Sequence, residues 1–366
     1  MYKLCFICDK KWFVDFNTRE NVMGKIKEYL VGNNSGNKIY FVDSNILLNM
    51  CQYYYRGKCD DGVETTEEIK KFILRAREGI QNKHSIIEIS YDYVSNSINV
   101  ELMNKVMIAY DNLIMNMSEN ELISHKGSLS PNAKWNSHRN HSIKSIFDCK
   151  LPEYLCQDDI DGSLMLIYEI YVYFLYTYKL YFSKWSSVRK IEELFKFMTE
   201  EIDVFLGYEF YLAVLLFLGK KEESEVAKGV LKPCEKPSLD HILNAVIDIY
   251  QYREVCLLGD MIAKENLQIT PVFVTMDGPL KNYIEHNISY NRVISEHAIT
   301  PVGHFNVNIK GKYIKEWNEF YLNRYYPCVY ERYMGMHRTE ASSVWQRKTL
   351  NMICQKIKEY EKQIIC

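Results

Sequence analysis

Two aspartates stand directly behind short apolar runs. Asp43 follows Ile39-Tyr40-Phe41-Val42, and Asp277 follows Phe273-Val274-Thr275-Met276. A third, Asp240, falls in the first turn of a predicted helix, with Asn244 and Asp248 after it at four-residue steps on one face. Glu88 lies between apolar neighbours in Ile86-Ile87-Glu88-Ile89. Carboxylate oxygens suit hard divalent cations such as Mg²⁺ or Mn²⁺. Several carboxylates gathered in one cleft repel each other unless a cation sits between them. Ions so held activate a water and stabilise the leaving oxygen of a phosphodiester. Taken singly, each acid has an ordinary explanation: a cap or turn former behind a strand, or a favourable charge in a first helical turn. Only their joint arrangement points to chemistry.

Such acids need strands whose carboxyl ends share a cleft, because ligands of open α/β sheets bind there. Residues 38–42 read as a strand after the loop 32–37, and the apolar run 46–50 as the start of a helix. Thr65 or Thr66 is the expected cap of a next helix, with Glu67 and Glu68 in its first turn and Phe72, Ile73 and Ala76 turned inward. Residues 85–90 are short and apolar, and periodicity does not decide between strand and helix there. Segments 102–117, 164–182, 188–197 and 205–218 are helical in pattern, and 127–141 is a polar, turn-rich loop. Ser238 is the expected cap of a helix whose apolar stripe runs through Leu239, Ile242, Leu243, Val246, Ile249 and Tyr250. A strand at 271–275 and a helix at 280–286 follow. Then come a short strand at 293–294 or 299–302, a hairpin-like alternation over 305–313 around Lys310-Gly311, and an amphipathic helix over 341–365. The predicted class is α/β, with a central, largely parallel sheet flanked by helices and interrupted by a large helical insertion.

The motifs resemble those of PIN-domain ribonucleases. Phe41-Val42-Asp43-Ser44-Asn45-Ile46-Leu47-Leu48 is similar to the family's opening motif, and Phe273-Val274-Thr275-Met276-Asp277 to its closing one. Leu239-Asp240-His241-Ile242-Leu243-Asn244-Ala245 resembles the central motif, in the form found in eukaryotic RNA-surveillance endonucleases. The resemblance covers roughly residues 38–95 and 237–303. It implies a PIN-like domain in two parts, 1–94 and 237–305, around a mainly helical insertion at 95–236, with 306–366 packing on the body. It also implies an endoribonuclease holding Mg²⁺ or Mn²⁺ on Asp43, Glu88, Asp240 and Asp277, with Ser44 supporting the first acid. Asp92 is the next candidate for the second acid, with Asn96 and Glu101 behind it. Asp260, in Leu258-Gly259-Asp260-Met261, is the rival for the central one. By analogy the setting is a toxin or phage-defence effector. The alternative is a catalytically silent scaffold that binds RNA or protein.

The chain has 366 residues, a formal net charge of −2 and 47% hydrophobic residues, the balance of a folded protein without a global basic field. The expected partner is RNA, single-stranded or structured like tRNA, with a regulatory protein and self-association left open. Phosphates must then meet a local patch such as Lys134, His138, Arg139, His141 and Lys144, or the basic-aromatic segment 324–338. Eleven cysteines, odd in number and irregular in spacing, read as reduced thiols. Cys5-x-x-Cys8 reads as part of a strand, and His138 and His141 with Cys149 and Cys156 as a loop rather than a zinc site. Segment 164–182 carries Glu169, Lys179 and a run of tyrosines, which suits a buried helix better than a membrane span. Its tyrosines recur too densely for one face, so packing is expected over base stacking. A cytoplasmic protein without membrane contact is the expectation.

Overall fold

The computed structural model describes residues 5–8, 38–77, 80–82, 91–92, 97–98, 100–128, 145–148, 163–233, 238–264, 270–287, 291–294, 299–302, 307–333 and 342–365. Contacts divide the chain into two compact units. Unit 1 comprises Met1–His141, Cys149–Tyr154 and Gln251–Lys281, and unit 2 comprises Ser142–Asp148, Leu155–Tyr250 and Asn282–Cys366.

Unit 1 holds a sheet of β1 (Cys5–Cys8), β2 (Lys38–Val42), β3 (Ile80–Asn82) and β6 (Thr270–Thr275), in the order β1-β6-β2-β3. β2 runs parallel to both β6 and β3, while β1 pairs antiparallel with β6. Ile39 to Val42 are all buried, so β2 is covered on both faces and reads as a continuous apolar run. Two-residue strands β4 (Tyr91–Asp92) and β5 (Ser97–Ile98) pair with each other.

Helix α1 (Ser44–Arg56) starts at once behind β2, with Asp43 at its N-cap, and stops at Gly57 in the left-handed region (φ 72). A side chain at Gly57 would strike the Lys126 backbone at 2.4 Å, so two chain segments cross where only glycine fits. Helix α2 (Val63–Ala76) begins before the predicted threonine cap. Thr66 lies inside it, donating to the Gly62 carbonyl and accepting from the Cys59 N–H, which holds the turn in front of the helix. Helix α3 (Val100–Asp111) ends in a π-type turn at Asn112–Asn116, and Arg77 donates to the Leu113 carbonyl there. Helix α4 (Glu119–Ser124) opens on a Ser118–Glu121 capping box. Tyr40, Ile46, Met50, Phe72, Tyr110 and Val274 belong to the core that joins sheet and helices.

Unit 2 is built on helices α5 (Ser163–Tyr181), α6 (Ser187–Lys196), α7 (Gly207–Leu218) and α8 (Lys221–Leu231). Every residue of α7 is buried. Tyr171, Tyr173, Tyr176 and Tyr178 of α5 are buried as well, which makes them packing groups, and no helix among the described residues is long and apolar enough to cross a membrane. Helix α9 (Leu239–Lys264) opens on Ser238, whose hydroxyl accepts from the His241 N–H as predicted, and the division between the units falls between its Tyr250 and Gln251. Helix α10 (Gly278–Asn287) follows β6, and β7 (Asn291–Ile294) and β8 (Ile299–Val302) form an antiparallel hairpin. Instead of a hairpin around Lys310-Gly311, Ile309 bridges Gly219 and Gly311–Tyr313 makes a single tight turn. Helices α11 (Ile314–Phe320), α12 (Tyr326–Tyr333) and α13 (Ser342–Ile365) complete the unit. Tyr360 of α13 stacks on Tyr176. Buried Glu361 accepts from the Ser145 hydroxyl, the Ile146 N–H and the Tyr171 hydroxyl.

This architecture corrects the expected one. The chain is mostly helical rather than a PIN-like α/β domain with a central, largely parallel sheet flanked by helices. Among the described residues parallel pairing is confined to β2 with its two neighbours, over five residue pairs on one side and three on the other. The apolar runs that read as strands are short, whereas the long 3.6-residue patterns claim most of the chain.

Candidate functional site

β2 and β6 lie side by side in parallel, with Val42 opposite Val274. The ladder continues one step further, because the Asp43 N–H donates to the Val274 carbonyl at 2.9 Å. That register puts Asp43 level with Thr275 and brings Asp277 beyond the same edge of the sheet. Two acids 234 positions apart in sequence, which the motifs alone could not place together, thus share one strand end.

Asp43 is only 3% exposed. Its carboxylate accepts from the Thr275 hydroxyl at 2.7 Å, the Ser44 hydroxyl at 3.2 Å and the Asn45 amide at 3.5 Å. Burial pushes its pKa up. The Thr275 and Ser44 hydroxyls oppose that shift, and the neighbouring Asp277 charge adds to it. Asp277 caps α10, with one carboxylate oxygen accepting from the Leu280 N–H at 2.8 Å. Thr275 ties the two acids together: its fully buried hydroxyl donates to Asp43 and accepts from the Asp277 N–H at 3.0 Å. Accepting that N–H leaves the hydroxyl proton free to point at Asp43. Ser44 supports the first acid, as the resemblance implied. Thr275 appeared in sequence only as a motif letter, and its spacing to Asp277 was the available signal.

The other predicted acids stand as follows. Glu88 and Asn96 lie outside the described residues, as does the basic patch at Lys134, His138, Arg139, His141 and Lys144. Asp92 ends the short strand β4 of unit 1. Glu101 is an exposed partner of Lys105 at 2.5 Å on α3. Asp240 stands in the first turn of α9, in unit 2, and Asp260 in the same helix, in unit 1 with Asp43 and Asp277. At about 1.5 Å per residue the two are roughly 30 Å apart along the helix, so a single cation can take only one of them. Cys5 and Cys8 lie in β1, as a strand reading requires. Among the described residues no three His, Cys, Asp or Glu side chains come together as a metal group.

Comparison with protein families, curated proteins and solved structures gives no match to this chain.

Proposed function

We propose that this chain is an Mg²⁺- or Mn²⁺-dependent endoribonuclease whose cation rests on Asp43 and Asp277. The observation that carries the reading is the pair itself: a buried carboxylate with a raised pKa beside a second acid at the carboxyl end of an adjacent parallel strand. Such a pair is costly in water-poor surroundings and is relieved by a hard cation with oxygen ligands. When bound, the cation supplies a water of lowered pKa and charge for the developing phosphorane oxygens. Asp43 and Asp277 hold it, while Thr275 and Ser44 fix the orientation of Asp43. By the motif resemblance a third acid would be Asp240 or Asp260 of α9, and a fourth Glu88 or Asp92. The motif resemblance to PIN ribonucleases supports RNA as the substrate, with a toxin or phage-defence role as its analogy.

The test is cleavage of a labelled single-stranded RNA and of tRNA after chelation. Activity should vanish in EDTA, return with Mn²⁺ or Mg²⁺ and not with Zn²⁺, and fall by orders of magnitude in Asp43→Asn and Asp277→Asn. Full cleavage in EDTA refutes the mechanism. RNA binding without cleavage under any cation favours the silent scaffold instead.

A further inference from the structure

Asn49 presents a buried oxygen that meets no donor among the described residues. It lies in α1 one turn beyond Asn45 and is 8% exposed. Its amide nitrogen donates to the Asn45 carbonyl at 2.9 Å and approaches the Met276 sulfur at 3.4 Å. Those contacts fix which end of the amide is which, since a flip would set oxygen against the Asn45 carbonyl oxygen. The side-chain oxygen is then left, among the described residues, without a hydrogen-bond donor. Buried acceptors are nearly always satisfied, and an orphan asks for an explanation.

Its surroundings offer one. Met276, against which the amide packs, is the residue between Thr275 and Asp277. Asn45, to which it donates, sends its own amide to the Asp43 carboxylate. Asn49 is thus one contact removed from Asp43 and packs against the chain neighbour of Asp277, and neutral amide oxygens are regular ligands of hard cations. We infer that the Asn49 side-chain oxygen serves the divalent cation of the Asp43–Asp277 site, either as a direct ligand or by accepting from a cation-bound water. The inference rests on the cation reading above. It gives the site a neutral oxygen on α1 in addition to its carboxylates, and it makes Asn49 a residue that serves the metal rather than a packing group of the core.

An ordinary core asparagine and a cation-serving one respond in opposite ways to an apolar replacement. Asn49→Leu removes an unsatisfied oxygen along with one amide hydrogen bond, so without metal it should melt at or above the wild-type temperature. Its Mn²⁺ affinity, read by electron paramagnetic resonance of free Mn²⁺ in a titration of the full chain, should fall roughly ten- to hundredfold, the usual cost of removing an outer partner of a metal site. Asn49→Ala, which cannot overpack, should show the same loss of affinity. Wild-type Mn²⁺ affinity in a folded Asn49→Leu or Asn49→Ala protein overturns the inference while leaving the Asp43–Asp277 site standing. A wild-type protein that binds no Mn²⁺ overturns both.

Discussion

Thr275→Val isolates the hydroxyl that joins the two acids. Valine keeps the shape and β-branching of threonine, so strand β6 should form as before. What is lost is a donor to the Asp43 carboxylate at 2.7 Å and an acceptor for the Asp277 N–H at 3.0 Å, both at a position with no exposure. A hydrogen bond to a charged group contributes about 1.5–3 kcal/mol, and a neutral one about 1 kcal/mol. The expected destabilisation at neutral pH is therefore roughly 2–4 kcal/mol, with Thr275→Ser losing well under half of that. Urea denaturation of the metal-free protein measures both. The carboxyl-specific part comes from the double-mutant cycle with Asp43→Asn, where a coupling of about 1–2 kcal/mol is expected between residues in direct contact. The pKa of Asp43, followed by carbon NMR of its carboxyl, should rise further in Thr275→Val, because the largest opposing influence on its upward shift is gone. Denaturation unchanged from wild type, or a coupling near zero, would show that the hydroxyl does not bridge the acids and that their shared geometry is incidental.

The remaining expectations are briefer. Burial holds the Asp43 pKa above its ordinary value of 3.8, so its contribution to metal-free stability is full below that value and is lost as pH rises through the raised one. Asp43→Asn, neutral throughout, should accordingly melt higher than wild type at pH 7 without metal and match it near pH 4. A wild-type advantage at pH 7 contradicts the shift. Asp240→Asn and Asp260→Asn, compared in the RNA cleavage assay, should separate into one nearly inactive and one nearly normal enzyme, because the two acids are about 30 Å apart along α9. Equal retention of activity by both removes α9 from the site. Glu361→Ala removes the buried acceptor that the Ser145 hydroxyl, the Ile146 N–H and the Tyr171 hydroxyl share in unit 2 and should cost about 3–5 kcal/mol in chemical denaturation, whereas Tyr171→Phe, which leaves two donors on the carboxylate, should cost about 1–2 kcal/mol. A Glu361→Ala protein as stable as wild type denies that buried cluster any structural weight.

Sequence by itself determined the features that depend on neighbours along the chain. The apolar run ending at Val42 reads as a strand and the apolar run behind Asp43-Ser44-Asn45 as a helix, so β2, Asp43 and α1 were legible together, although Asp43 takes the N-cap position without a side-chain capping bond. The same holds for β6 with Asp277, for the Ser238 cap, and for α5, α6, α7 and α13, whose spacing of apolar residues sets their type and nearly their ends. Only the tertiary structure decided what lies beside what. The register of β2 on β6 joins residues more than two hundred positions apart, and nothing periodic in either segment fixes it. Thr275 became the link between two acids, and Asn49 their neighbour, through that register alone. Helix α9 shows the same limit. Its apolar stripe was read only as far as Tyr250, yet buried Tyr252, Val255 and Cys256 carry the helix on to Lys264, Gly259 included, and so Asp240 and Asp260 became rivals on one rod. The fold class failed for a related reason. Motifs at strand ends report the few residues around a site, while helix content is set by how much of the chain can bury an apolar face at a 3.6-residue spacing. Here that is most of it.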